Sequence, residues 1–303
     1  MPTPPADVAG PDGRGGITAD LVRRLLTAQL PAWADLPVRP VPADGWDNRT
    51  YRLGDELLVR LPSAAGYAAA VAKEDRWLPR LAPRLPLAVP EPVATGGPGA
   101  GYAWSWSVRR WIPGRPVQGT TPADPVAFAR DLAAFLTALR AVDAADGPAP
   151  GAHCFHRGGP PAFYDAEVHA ALAALGDQVD ADACREVWAA ALASSWERPP
   201  VWFHGDIAPG NLLLDDAGAL SAVIDFGTCG VGDPACDLVI AWTLLRGDAR
   251  AAFRDGVDLD DGTWARARGW ALWKALIVSA DGGPAAAGPR AVVDEVLADH
   301  ARR

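Results

Sequence analysis

The sequence predicts an α+β fold in two domains, and three observations carry that expectation. The chain has 303 residues, about two domains' worth and enough to bury a sizeable core. Residues 50–62 and 102–112 have strand character, and beyond Pro113-Gly114 apolar residues recur mainly at helical spacing. Half the residues are apolar, which excludes a disordered or fibrous chain. The 37 acidic against 28 basic side chains give a net charge of -9, the opposite of a nucleic-acid binder's balance. Such acidity solvates a surface, and it is also compatible with a cationic small substrate. Cys154, Cys184, Cys229 and Cys236 contain no CxxC pair, so neither a disulfide framework nor a tetrathiolate metal site is indicated, and a cytoplasmic location is expected.

Residues 1–16 are rich in turn formers and lack the apolar run of a secretory signal, so a loose tail is expected. Residues 17–30 bring Ile17, Leu21, Leu25 or Leu26, and Leu30 to one helical face. A hairpin over 50–62 turns at Gly54-Asp55. The next helix covers 68–81 and is closed by Pro83 and Pro86; 90–101 reads as an irregular connection, and 102–112 as a strand. Thr121 caps a helix whose apolar face is Phe128, Leu132, Phe135, Leu136 and Leu139. Breakers make 147–161 a loop, and 162–175 and 182–196 permit helices. The period then shortens, with a strand and turn in 211–220, a buried strand ending at Asp225, and helices over 234–245 and 263–280. The apolar run 238–245 is far below the roughly 18 residues of a membrane span. A soluble chain without a membrane partner is expected.

The chemistry is concentrated in HGDIAPGN, residues 204–211, and IDFG, residues 224–227. Two carboxylates and an amide at strand exits suit phosphoryl transfer. Asp206 would orient and deprotonate an alcohol, while Asn211 and Asp225 would coordinate a hard magnesium ion. Taken singly, each residue would serve equally as a turn cap or loop ligand; the full set favours catalysis. His204 reads as support for the loop rather than as a proton carrier.

These motifs resemble the signature of the aminoglycoside phosphotransferase family, whose fold is similar to that of protein kinases, with HGD in place of HRD and DFG retained. The resemblance spans most of 44–273. It implies a two-lobed protein-kinase-like α+β fold, with a β-rich nucleotide-binding lobe over 17–107 and a hinge and mainly helical catalytic lobe over 108–303. It also implies ATP as donor, GTP not being excluded, and Mg2+. Arg60 in LVRLP then corresponds to the phosphate-pairing lysine and Glu74 to its acidic partner. Arginine for lysine is a departure that bears on phosphate geometry. The sequence GWDN stands at the phosphate loop without GxGxxG spacing, with Asn48 as its side-chain contributor. Ser107, Val108, Arg109 and Arg110 fall near the hinge that would contact the nucleotide, and Asp233 and Asp237 in GDPACDL read as supports of the catalytic loop or helix caps. The local HCFH, residues 153–156, lacks a fourth ligand for zinc and reads as a turn or substrate lid.

The implied activity is ATP-dependent phosphorylation of a hydroxyl on an aminoglycoside-like, cationic antibiotic, without an obligate protein partner. A macrolide, peptide antibiotic, amino alcohol or sugar could use the same phosphate machinery. A catalytically silent nucleotide-binding scaffold is the reading from another class.

Overall fold

The structure, a computed structural model, describes residues 16–41, 47–282 and 287–302. The tail expectation for 1–16, apart from Gly16, and the Gly45-Trp46 part of the phosphate loop lie outside the described residues. The chain forms two compact units: residues up to Gly114 together with Ala222–Gly227, and Arg115–Ser221 together with the residues from Thr228 onward. No described helix is long and apolar enough to cross a membrane.

The first unit opens with helix α1 (Ala19–Gln29), which starts where the Thr18 hydroxyl accepts the Leu21 N–H at 3.2 Å. Its buried Leu21, Val22, Leu25 and Leu26 pack on a five-stranded antiparallel sheet. The strands are β1 (Val38–Pro40), β2 (Asn48–Leu53), β3 (Leu57–Pro62), β4 (Pro92–Gly96) and β5 (Trp106–Arg110), in the order β1-β2-β3-β5-β4. The hairpin joining β2 to β3 turns at Gly54, whose φ of +58° favours glycine. The connection expected at 90–101 instead contains β4, an edge strand beginning at Pro92, where proline's missing N–H is tolerated.

Period-two alternation sorts the side chains of this sheet. Val59 and Leu61 on β3, with Trp106 and Val108 on β5, enter the core against α1. Arg60, Ser107 and Arg109 therefore face the other way. Helix α2 (Ala65–Leu81) covers that face, burying Val71, Glu74, Trp77, Leu78 and Leu81 at helical spacing. It begins three residues before the expected start and carries Pro79 inside it. The segment Ala222–Gly227 joins this unit through Val223, whose N–H donates to Ala88 O at 3.0 Å.

The second unit starts with strand β6 (Arg115–Pro116) and helix α3 (Pro125–Ala141). Asp124, not Thr121, is the cap: its Oδ1 accepts the N–H groups of Val126 and Ala127, because Pro125 takes the first helical position. Helices α4 (Asp165–Leu175) and α5 (Ala181–Leu192) follow, then β7 (Val201–Phe203), β8 (Leu212–Leu214), β9 (Leu220–Val223), whose last two residues are counted with the first unit, and β10 (Gly230–Gly232). Strand β9 ends two residues before Asp225, so the expected strand stops short of the motif. Strand β10 pairs antiparallel with β7. The remaining elements are α6 (Ile240–Thr243), α7 (Gly247–Val257), α8 (Asp261–Ala280) and α9 (Ala287–Ala301). The helix expected over 234–245 is mostly a 3-10 turn, Pro234–Val239, that leads into the short α6. Helix α8 packs against α4, α5 and α9 and buries Trp264, Trp270 and Trp273. A β-rich first unit and a mainly helical second unit agree with the expected two-lobed α+β fold.

Candidate active site

On the first unit's sheet, Arg60 projects from β3 toward α2. Its Nη1 donates to Glu74 Oε1 at 3.2 Å and its Nη2 to Asp225 Oδ1 at 2.6 Å. Burial on its own would lower the guanidinium's pKa, but Glu74 and Asp225 together hold it above the ordinary arginine value. Glu74 is 3% exposed and shared, because its second oxygen accepts Arg109 Nη2 at 3.2 Å. Arg109 is fully buried. Its Nε donates to Ser107 Oγ at 3.0 Å and its Nη1 to Pro90 O at 3.1 Å. Burial lowers the pKa of Arg109, and Glu74 opposes that shift.

Asp225 follows β9 with φ at +67°, a left-handed conformation that Asp tolerates better than most residues. Two residues on, Gly227 O accepts Lys73 Nζ at 2.7 Å. Helix α2 thus holds both ends of the DFG triplet, indirectly at Asp225 through Glu74 and Arg60, and directly at Gly227 through Lys73.

The second unit builds the other motif between β7 and β8. His204 is fully buried and Gly205 has φ of +86°. A Cβ on Gly205 would sit 2.8 Å from Thr228 O, so both the backbone conformation and the space require glycine. Asp237, 3% exposed, accepts the N–H of His204 at Oδ2 (2.8 Å) and that of Gly205 at Oδ1 (2.6 Å). Burial raises the pKa of this carboxyl, against its bonds to the loop and the nearby His204 and Arg140. Asp233 caps the following turn through Ala235 N–H and pairs with Arg266 Nε at 2.6 Å. The loop-supporting and capping roles expected of Asp237 and Asp233 thus have direct geometry.

Asp206 itself is exposed. Its N–H donates to His204 Nδ1 at 3.2 Å, so that ring nitrogen acts as an acceptor. Asn211 Nδ2 donates to both Asp206 O and Asp206 Oδ2, each at 2.9 Å. With its amide nitrogen so committed, Asn211 directs its donor atoms at Asp206 and keeps a carbonyl oxygen suited to a hard cation.

The other expected residues are placed as follows. Asn48 opens β2 opposite Pro62. Ser107, Val108 and Arg109 lie inside β5, with β3 on one side and β4 on the other. Arg110 still pairs with Leu57, and its N–H donates to Glu91 O at 3.1 Å. The hinge expected at 107–110 is therefore strand, its backbone groups spent in ladders, and the Arg109 side chain is directed at Glu74. Lys73 carries no sequence signal for its contact. Arg109 did, since alternation in WSVRR puts it on the face of Ser107 and opposite Trp106 and Val108. In HCFH, Cys154 Sγ contacts the carbonyls of Gly151 and Arg157, and His156 stacks on Phe163 with centroids 3.5 Å apart. All four cysteines are buried thiols outside any disulfide.

The profile of the phosphotransferase enzyme family matches residues 38–270. Among solved structures, the chain is similar to the GDP complex of wild-type aminoglycoside 2'-phosphotransferase-IIIa, with 18% identity over 94% of this chain and 100% of that one, at a TM-score of 0.69. It is also similar to the GDP and kanamycin complex of APH(2")-IIia, with 17% identity, 93% and 99% coverage and a TM-score of 0.70. A third is macrolide 2'-phosphotransferase MphH from Brachybacterium faecium, with 27% identity, 91% and 98% coverage and a TM-score of 0.58. No curated protein sequence matches the chain.

Proposed function

This chain belongs to the phosphotransferase enzyme family, and on that premise we propose an ATP-dependent, magnesium-assisted O-phosphotransferase acting on a hydroxyl of a macrolide-like small molecule. Transfer of a phosphoryl group from a nucleotide to a small-molecule alcohol is the part that the family carries. The observation that most supports the finer reading is the pairing of Arg60 with both Glu74 and Asp225, which links the β3 arginine to the DFG carboxylate.

In this reading Arg60 presents its guanidinium to the α and β phosphates, held in place by Glu74. Asp206, exposed and oriented by Asn211, accepts the proton of the acceptor hydroxyl as that hydroxyl oxygen bonds to the γ phosphorus and the bond from the phosphorus to the β-phosphate oxygen breaks, releasing ADP. Asn211 and Asp225 are the groups that would hold magnesium, and their donor set of amide and carboxylate oxygens fits that cation. When bound, the cation supplies neutralisation of phosphate charge. Asn48 at the head of β2 contributes to covering the phosphates. The adenine edge falls on the backbone after β5, at 112–114, since Trp111 N–H is already given to Glu56 O.

For the acceptor, sequence identity and backbone similarity point in different directions. The aminoglycoside enzymes superpose with the higher TM-scores, yet at 17–18% identity that likeness carries the fold alone. The macrolide enzyme shares 27% of its residues, and acceptor choice resides in side chains. The charge of -9 keeps a polycationic aminoglycoside as the second reading.

Mass increase of each member of a macrolide and aminoglycoside panel, measured with ATP and magnesium, tests the proposal. A phosphorylated macrolide is the expected product, and Asp225→Asn should lower its rate roughly 100-fold or more while the protein stays folded. Nucleotide binding with no transfer to any acceptor would replace the enzyme by a silent scaffold; near-normal transfer by the Asn variant would remove Asp225 from the metal site.

A further inference from the structure

The second unit holds a cavity of about 460 Å³ that the proposed chemistry does not use. It is walled by α6, α7, α8 and α9 and lined by Arg246, Arg250, Arg254, Arg302, Trp242 and Trp264. Its size is that of small-ligand pockets, roughly 300–1,000 Å³. Four guanidinium groups converge here in a chain whose formal charge is -9.

The cavity's own carboxylates do not balance them. Glu295 is shared, accepting Arg250 Nη2 at 2.6 Å and Arg246 Nε at 3.3 Å. Asp299 is 3.3 Å from the buried Arg268 and 3.9 Å from Arg302. Arg254 pairs with Asp261 at 2.8 Å while its guanidinium lies 4.7 Å from the Trp264 ring centroid. Counting Arg268 and Asp261 with the lining residues leaves five cations against three anions, a surplus of two positive charges. The Arg250 hydrogen bond, with Arg246, holds the Glu295 carboxyl below its usual range.

Arg246 gives Nη1 to the Trp242 and Leu245 carbonyls, and Arg250 gives Nε and Nη2 to Leu245 O. The buried Trp242 and Trp264 rings contribute apolar wall. The remaining guanidinium N–H groups, those of the exposed Arg302 among them, suit phosphate oxygens.

We propose that this cavity is a second ligand site, separate from the residues assigned to phosphoryl transfer, that binds a small phosphate-bearing anion. Arg246 and Arg302, 47% and 62% exposed, form its mouth, and the 15% exposed Arg250 lies deeper.

Calorimetric titration of the full chain with pyrophosphate, at fixed ionic strength and without divalent metal, tests the site. Saturable binding is expected, weakened at least about tenfold in Arg246→Gln/Arg302→Gln and unchanged in Arg60→Ala, which removes the phosphate-pairing arginine of the proposed nucleotide site. Should the double variant fail to fold, the single reversal Arg302→Glu provides the same comparison at a largely exposed position. In Arg60→Ala, tighter binding of ADP than of glycerol phosphate would identify the ligand as a nucleotide and the reverse order as a phosphomonoester, and either, when lost in the cavity variants, supports the site. Binding that persists in the cavity variants, disappears with Arg60→Ala, or is matched by citrate would overturn the assignment.

Discussion

Replacing Asp237 by Asn changes one oxygen to an NH2 group at a carboxylate that holds the backbone of the HGD motif. Both oxygens of Asp237 are in use, at 2.8 Å from His204 N and 2.6 Å from Gly205 N, and the residue is 3% exposed. An asparagine can accept only one of these N–H groups. The other faces an NH2 donor, so a hydrogen bond to a charged acceptor, about 1.5–3 kcal/mol, is lost and a buried N–H is left without a partner at a cost of about 1–3 kcal/mol. Against this, the neutral amide escapes the burial that already disfavours the charged carboxyl. The net destabilisation is therefore placed at about 2–4 kcal/mol, a large share of a stability of order 5–15 kcal/mol. Urea unfolding at neutral pH measures it. Because Asp206 is the next residue after Gly205, kcat should fall as well, while nucleotide affinity, which the proposal assigns largely to Arg60 in the other unit, should change little. A loss under about 0.5 kcal/mol together with an unchanged kcat would refute this account of Asp237.

Two further perturbations isolate other parts of the structure. Gly205→Ala places a Cβ 2.8 Å from Thr228 O at a φ of +86°; a loss of roughly 2–3 kcal/mol and of transfer activity is expected, and wild-type unfolding of that variant would contradict the strain argument. The folded-state pKa of Glu295 is depressed, so its ion pair contributes stability that is present above the unfolded value of 4.5 and lost as pH falls through the lower folded value. Glu295→Gln should therefore flatten the acid limb of a thermal-midpoint profile, by no more than about 1 kcal/mol because the group is one-third exposed; parallel profiles for the two proteins would show that the pair does not sense protonation.

The elements legible in the sequence are those whose local signals agree with their packing. Helix α1 has a hydroxyl cap and one apolar face, and the β2–β3 hairpin has a glycine at its turn. Strand β4 was not legible, since PVATG has no uninterrupted alternation and becomes a strand only by pairing with β5. The α3 cap was misplaced because Thr121 and Asp124 both precede a proline; Pro125, at the first helical position, decides for Asp124. Asp237 was legible as a loop support because GDPACDL is a local motif. Lys73 was not, because its partner, Gly227, is 154 residues away in sequence. That residues 107–110 lie wholly within a strand was not legible for a related reason: WSVRRW marks a strand but not where its pairing ends, and the ladder runs through Arg110.

The departure from lysine at position 60 has a physical account in the same sheet face. Glu74 and Asp225 accept from two different nitrogens of Arg60, at 3.2 and 2.6 Å. A guanidinium spans them in one rigid plane, whereas an ammonium is a single centre. The position is also desolvated, Arg60 being 12% exposed and its neighbour Arg109 fully buried. Burial there opposes the charge, and Glu74 and Asp225 more than offset it. Counting Lys73 and Asp47 with the cluster, the three cations Arg60, Lys73 and Arg109 stand against the four carboxylates of Asp47, Glu74, Asp75 and Asp225. The formal sum is one negative charge, moderated by the burial that raises the pKa of Asp75. A triphosphate approaching that sum alone would meet repulsion, and a divalent cation held on Asp225 would turn it positive. The planar fork therefore serves both carboxylates at once, and in the proposed reaction the carboxylate surplus would make metal and nucleotide binding at this face mutually dependent.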